Sequence, residues 1–301
     1  MSIIPTPELL AAGNEKAIAR AITWVENNHP QAQNLLKKLS GKSDVIGITG
    51  PPGAGKSSLV NALAKYWSSQ NLKIAIVAVD PSSVFNYGSL LGDRLRMQSL
   101  FLMPNVFIRS LSSRGSLGGL SGSIIEVVDV LKHANYDKII IETVGVGQSE
   151  VEIAGLADTT IVVSVPESGD EIQTLKSGIM EIANIFVVNK SDREGAAAFA
   201  SHLQKLAHIR ATESWETPVV LTNAMTESGI QELSAAIDKH AAFNQGNFRL
   251  NDLFAEKAYT LIQKHKMQGI QVLSLRKEIE NLRNQQAFNL YAFVESKINE
   301  N

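Results

Sequence analysis

The stretch 47-GITGPPGAGKSSLV-60 sets four glycines and two prolines between an apolar lead-in and a helix-like continuation. Gly50, Gly55, Lys56 and Ser57 match the pattern G-x-x-x-x-G-K-[ST], and 45-VIGIT-49 before it has the texture of a buried strand. Glycines let successive backbone N–H groups turn inward around an anion. The start of the following helix adds its partial positive charge. In this reading Gly50, Pro51, Pro52, Gly53, Ala54, Gly55, Lys56, Ser57 and Ser58 cradle a nucleotide's phosphates. Lys56 reaches the β- and γ-phosphates, and the Ser57 hydroxyl binds Mg²⁺. The bland alternative is a glycine-rich strand-to-helix turn, and the flanking strand and helix argue against it.

The base is read further along. Residues 189-NKSD-192 follow the apolar run 185-IFVVN-189. A carboxylate such as Asp192 accepts both N1–H and the 2-amino group of guanine, whereas adenine would leave it unpaired. Asn189 would meet the O6/N7 side, and the stem of Lys190 would cover the ring. A third base-side loop is expected at 222-TNA-224, with Asn223 and Ala224 where many GTPases carry Ser-Ala. The chain is therefore expected to bind GTP and GDP.

A phosphate-bound Mg²⁺ needs carboxylates close by, and strand ends supply them. The candidates are Asp80 after 74-IAIVAV-79, Asp93 in 88-GSLLGDRLRM-97, and Glu142, which opens 142-ETVGVGQSE-150. The backbone N–H of Gly145 would bond the γ-phosphate and release it after hydrolysis, so that 143–150 senses the nucleotide. Arg114, in the glycine- and serine-rich 110-SLSSRGSLGGLSG-122, reads as a solvated side chain.

Around these motifs, strand-like runs at 45–49, 74–79, 138–143, 160–165, 185–189 and 218–222 alternate with helical segments. Continuous apolar strands separated by helices predict an α/β fold, with a mostly parallel sheet covered on both faces, the P-loop NTPase arrangement. Residues 1–41 read as an N-terminal helical arm, 42–243 as the GTPase domain and 244–301 as a C-terminal helical dimerisation segment. In that last segment Leu250, Leu253, Phe254, Ala258 and Leu261 form one stripe, and Val272, Leu275, Ile279 and Leu282 a second with heptad-like spacing. The 301 residues, 44% hydrophobic, suffice for a full core. A formal charge of -2 argues against a nucleic-acid partner. The absence of cysteine excludes disulfides, thiolate metal sites and cysteine nucleophiles. No run approaches the roughly 20 apolar residues of a membrane span, and no secretory leader is evident, so a cytoplasmic protein with no membrane partner is expected.

As a set, GPPGAGKSS, VDPSS, GSLLGDRLRM, FIRS…GSLGG, ETVGVGQSE, SGDEIQTLKSGIMEIA and NKSD closely resemble the MeaB/ArgK-type GTPases, and 18-IARAITWVEN-27 resembles that family's leading helix. Those proteins are G-protein chaperones of adenosylcobalamin-dependent acyl-CoA mutases, methylmalonyl-CoA mutase above all. The resemblance implies a homodimer, a metal site ringed by Asp80, Asp93 and Glu142, and a further switch at 166-PESGDEIQTLK-176 whose Lys176 reaches toward nucleotide or partner. Gln148 is a candidate for orienting the attacking water. Glu167, Leu95 and the non-basic 121-SGSIIEVV-128 depart from the family pattern, in regions where partners are contacted.

Three other readings use the same phosphate loop. A nickel- or zinc-delivering GTPase normally carries clustered His or Cys, whereas His202 and His208 here are six residues apart on a predicted helix. A small-molecule kinase fits the Glu142 switch and N-K-S-D poorly. A scaffold locked by nucleotide would bind GTP without stimulated turnover.

Overall fold

A computed structural model describes residues 3–80, 98–112, 122–143, 149–166, 179–209, 215–243, 248–267, 269–285 and 288–299. Seven strands form one sheet in the order β3-β2-β4-β1-β5-β6-β7, and every pairing is parallel. They are β1 (Asp44–Thr49), β2 (Ile74–Asp80), β3 (Val106–Ser112), β4 (Lys138–Glu142), β5 (Thr159–Ser164), β6 (Ile185–Val188) and β7 (Val219–Leu221). Parallel strands need crossover connections, and here the chain makes them largely with helices.

Six of these strands lie where the apolar runs predict them; β3 is an addition. Its sequence, VFIRSLS, carries Arg109 at the centre and lacks the unbroken apolar character of a central strand. It is an edge strand, paired to β2 alone, and Arg109 forms an ion pair with Glu26 and a 3.3 Å hydrogen bond to Thr23 Oγ1. A polar edge of that kind is invisible to a search for hydrophobic continuity.

Three helices precede the sheet: α1 (Pro7–Ala11), α2 (Glu15–Glu26) and α3 (Ala32–Leu36). The helical arm expected over 1–41 is broken near its start, because Gly13 at φ +72° ends α1 and the Asn14 side chain caps α2 by accepting from the Ala17 N–H at 3.0 Å. Leu10, Ala17, Ile18, Ala21 and Ile22 are fully buried. α2 packs on α5 (Ile124–His133), so these helices complete the core.

α4 (Lys56–Ser69) and α9 (Ile230–Phe243) cover one face of the sheet: Leu59, Leu63 and Trp67 of α4 and Leu233 and Ile237 of α9 pack with Ile46, Ile48, Ile140, Ile161 and Val163. The opposite face receives Ala154 of α6 (Ser149–Leu156), Ile182 of α7 (Ile179–Ile182) and Phe199 and Leu203 of α8 (Ala196–Ile209) against Val162, Phe186 and Val188. Trp67 is fully buried and donates from Nε1 to Ser234 Oγ at 2.8 Å, tying α4 to α9.

The chain divides into compact units Met1–Leu250 and Asn251–Asn301. The second contains most of α10 (Phe248–Lys266) with α11 (Val272–Gln285) and α12 (Leu290–Asn299), three helices where the sequence suggests a pair. Its apolar residues are little covered: Tyr259, Ile262, Val272, Leu273, Tyr291 and Ile298 are all more than half exposed, while Phe293 is buried. Among the described residues no helix is long and apolar enough to cross a membrane.

Candidate nucleotide site

Parallel α/β sheets bind ligands in the crevice beyond the carboxyl ends of their strands. The motif residues assemble there, at the ends of β1, β4, β5 and β6. β1 runs into Gly50, which adopts φ +141°, and a Cβ on it would lie 2.1 Å from the Val163 carbonyl oxygen of β5. Any other side chain would push the loop off the sheet. Gly55, at φ +86°, precedes Lys56 as the N-cap of α4, and its Cβ would lie 2.4 Å from Asn189 Nδ2. Both glycines are thus demanded by backbone conformation and by contact with the strands that carry the rest of the site. Ala54 is fully buried, Pro51, Ser57 and Ser58 are half-buried, and Pro52 and Gly53 are exposed at the rim.

Lys56 is 7% exposed, and its ammonium donates to the carbonyls of Gly50 at 2.8 Å and Pro51 at 3.0 Å. Its stem therefore runs along the loop, and its charge lies where the loop closes. Next to it, Ser57 Oγ donates to Glu142 Oε1 at 2.6 Å, joining the first turn of α4 to the last residue of β4. Glu142 is buried to 7% exposure beside β1, where Ile48 is its register partner. A hydroxyl and a buried carboxylate in contact are the hard oxygen donors that a small divalent cation takes. Asp80 ends β2, the other neighbour of β4, so its backbone stands at the same sheet edge. Asp93, Gly145, Gln148 and Lys176 lie outside the described residues.

The base-side motif reaches the phosphate loop directly. Asn189, 2% exposed, donates from Nδ2 to the Ala54 carbonyl at 3.0 Å. Its Oδ1 accepts from the Ala224 N–H and from Thr222 Oγ1, each at 3.2 Å. Lys190 sits at φ +57° and its ammonium donates to the Gly53 carbonyl at 2.9 Å. Asp192 is exposed and accepts at Oδ1 from Asn223 Nδ2 at 2.7 Å. Residues 135 positions apart in sequence are in this way bonded into one rim, with Asn189 as the joint.

Sequence reasoning passed over three hydroxyls. Thr143 Oγ1 donates to Thr49 Oγ1 at 2.9 Å, and both threonines are almost fully buried, so the residue after Glu142 is tied to the residue before Gly50. Thr222 holds Asn189. The signal was present in E-T-V-G and T-N-A, where each threonine adjoins a motif residue at a strand end. No shared site forms from the two helical histidines: His202 and His208 are exposed, and His208 Nδ1 lies 3.2 Å from Glu216 Oε1. No metal-holding group of three or more His, Cys, Asp or Glu occurs among the described residues.

Comparisons with known proteins agree with this geometry. A putative GTPase of Pyrococcus horikoshii is 44% identical over 264 residues, covering 85% of this chain and 82% of that protein. GTPase ArgK of Escherichia coli is 39% identical over 240 residues, covering 76% and 72%. The mitochondrial methylmalonic aciduria type A homolog of Caenorhabditis elegans is 37% identical over 251 residues, covering 76% and 63%. Among solved structures, an LAO/AO transport system kinase superposes with a TM-score of 0.68 at 27% identity, covering 88% of this chain and 83% of the other. HypB from Helicobacter pylori, in complex with nickel, shares the fold at a TM-score of 0.51 and 17% identity, covering 80% of this chain and 97% of the other. Residues 18–277 match the family described as methylmalonyl Co-A mutase-associated GTPase MeaB, and with that match and relatives near 40% identity over three quarters of its length, the chain belongs to the MeaB family of GTPases.

Proposed function

We propose that this protein hydrolyses GTP in a Mg²⁺-dependent reaction and acts as a G-protein chaperone for an adenosylcobalamin-dependent acyl-CoA mutase, gating the loading and protection of its cofactor. The observation that carries the nucleotide half is the bonding of Asn189 and Lys190 to the Ala54 and Gly53 carbonyls, which makes the base-reading and phosphate-holding segments one site. The mutase half rests on the family match and on the relative whose name refers to methylmalonic aciduria.

The chemistry follows from placement. Loop amides from Gly50 to Ser58 and the start of α4 offer donors to the phosphate chain. Lys56 exchanges its loop carbonyls for phosphate oxygens and neutralises charge as the γ-phosphoryl departs. Asn189, Lys190 and Asp192 hold guanine, with Asn223 and Ala224 closing the base side. Ser57 and Glu142, joined by Asp80 and Asp93, would hold Mg²⁺, which when bound screens the negative charge between the phosphates. Gly145 would sense the γ-phosphate, Gln148 would orient water, and Lys176 would link nucleotide to partner. Residues 244–301 would form the dimerisation segment of a cytoplasmic homodimer, with 1–41 as the arm and 42–243 as the catalytic domain.

Phosphate release from GTP, measured with and without a purified adenosylcobalamin-dependent acyl-CoA mutase, tests the reading. Slow intrinsic turnover that rises with mutase is expected. Equal acceptance of ATP would remove the guanine assignment, and turnover indifferent to mutase would remove the chaperone assignment.

A further inference from the structure

Asn223 stands where many GTPases have serine, and its side chain is engaged at both its oxygen and its nitrogen. Its Oδ1 accepts from the N–H groups of Met225 at 3.0 Å and Thr226 at 3.3 Å, capping the turn that follows. Its own N–H bonds the Ser228 carbonyl at 3.0 Å, closing the loop 223–228 by a bridge. The amide nitrogen directs one of its two N–H groups to Asp192 Oδ1 at 2.7 Å.

On the other side, Asp192 lies in a turn whose backbone is already set. Lys190 is in the left-handed region, the Arg193 N–H bonds the Lys190 carbonyl at 3.0 Å, and the Ser191 N–H bonds the Thr222 carbonyl at 3.0 Å. The backbone is thus fixed, but the Asp192 carboxyl is exposed and still free to swing about its terminal torsions, which are broad for Asp. A single charge-assisted donor suffices to choose one orientation. An asparagine separates its accepting oxygen from its donating nitrogen, so capping the turn and holding the carboxylate do not compete. A serine would have to do both through one oxygen.

We infer that Asn223 is a specificity-positioning residue: it aligns the Asp192 carboxylate so that both oxygens face the guanine N1–H and 2-amino group, without touching the base itself. This rests on the guanine-nucleotide reading above. Each carboxylate oxygen can accept more than one hydrogen bond, so the bond from Asn223 leaves acceptor capacity for the base.

Inosine nucleotides isolate the effect, because hypoxanthine keeps N1–H and lacks the 2-amino donor. The test is competition binding of GDP, inosine diphosphate and ADP to the full-length chain with magnesium supplied, for the wild type, N223A and N223S. A hydrogen bond to a charged group predicts that the wild type prefers GDP over inosine diphosphate by about tenfold or more. In N223A the preference should fall to within about threefold of parity, with N223S in between, because the serine hydroxyl restores a donor of shorter reach. A GDP-to-inosine ratio unchanged in N223A, whether affinities fall together or not at all, would overturn the inference and leave Asn223 a loop cap. If N223A does not fold, the same ratio in N223S decides: unchanged from wild type overturns the inference, and reduced supports it. A wild type that fails to prefer GDP over ADP would instead sink the underlying nucleotide reading, and the two failures are therefore distinguishable.

Discussion

Lys56 is nearly buried and its ammonium is held by two loop carbonyls, so its charge is already at the mouth of the phosphate cradle before any ligand arrives. Little reorganisation is then needed when phosphate replaces those carbonyls. Lys56→Ala should reduce turnover of GTP by about 10²-fold or more, read as phosphate release at saturating nucleotide. Glu142→Gln keeps an oxygen near Ser57 but removes the charge. Its expected signature is a magnesium requirement raised about tenfold or more, seen in turnover titrated against Mg²⁺. Away from the site, His240 is buried against Thr159 Oγ1 at 2.8 Å and stacks edge-on to Trp215, and burial holds its imidazole below the usual histidine range. A depressed pKa in the fold means that the unfolded chain binds the proton more readily. The contribution of His240 to stability is therefore complete above the unfolded histidine pKa of about 6.5 and is lost as pH falls through the lower folded value. Thermal unfolding of the wild type and His240→Gln between pH 7.5 and 5 checks this: the wild-type midpoint should fall more steeply with acidification than that of the variant.

At the scale of elements, the face formed by α4 and α9 is held by one apolar cluster and one buried polar contact. Trp67 fills that cluster while its indole N–H is satisfied by Ser234. Trp67→Ala should cost about 3–5 kcal/mol in denaturant unfolding, from lost contacts and the cavity left behind. Because α4 begins at Lys56, the same substitution should weaken GDP binding as well; an unchanged affinity would show that the loop is held by the strands alone. The elements also show where reading by pattern reaches its limit. β1, β2, β4, β5 and β6 were legible because both faces of a central parallel strand are buried, which writes an apolar run into the chain. β3 was not, because Arg109 at an edge finds its partners in Glu26 and Thr23 of α2, eighty or more residues earlier in the chain. The split between α1 and α2 turns on a left-handed Gly13 and on the Asn14 cap, which the reading of 1–41 as one helical arm did not separate.

For the molecule as a whole, the unit Asn251–Asn301 carries its own consequence. Leu261, Ile262, Val272, Leu273 and Ile298 are exposed to solvent in a single chain, a pattern that a second copy would cover. The proposed homodimer should sediment at twice the 32.6 kDa of the chain. Ile262→Asp with Leu273→Asp should shift it to monomer while nucleotide affinity is retained. A wild-type monomer across the micromolar range would refute that assignment.

The chemistry on offer is written locally: the G-x-x-x-x-G-K-S loop, the N-K-S-D tetrapeptide and the acidic residue at a strand end are each legible within a few residues. Contacts between distant segments were left to the folded chain. That Asn189 bonds Ala54, that Ser57 meets Glu142, and that Asn223 bonds Asp192 are properties of which strands lie side by side. Strand order comes from burying apolar faces over the whole sheet, and no local motif encodes it.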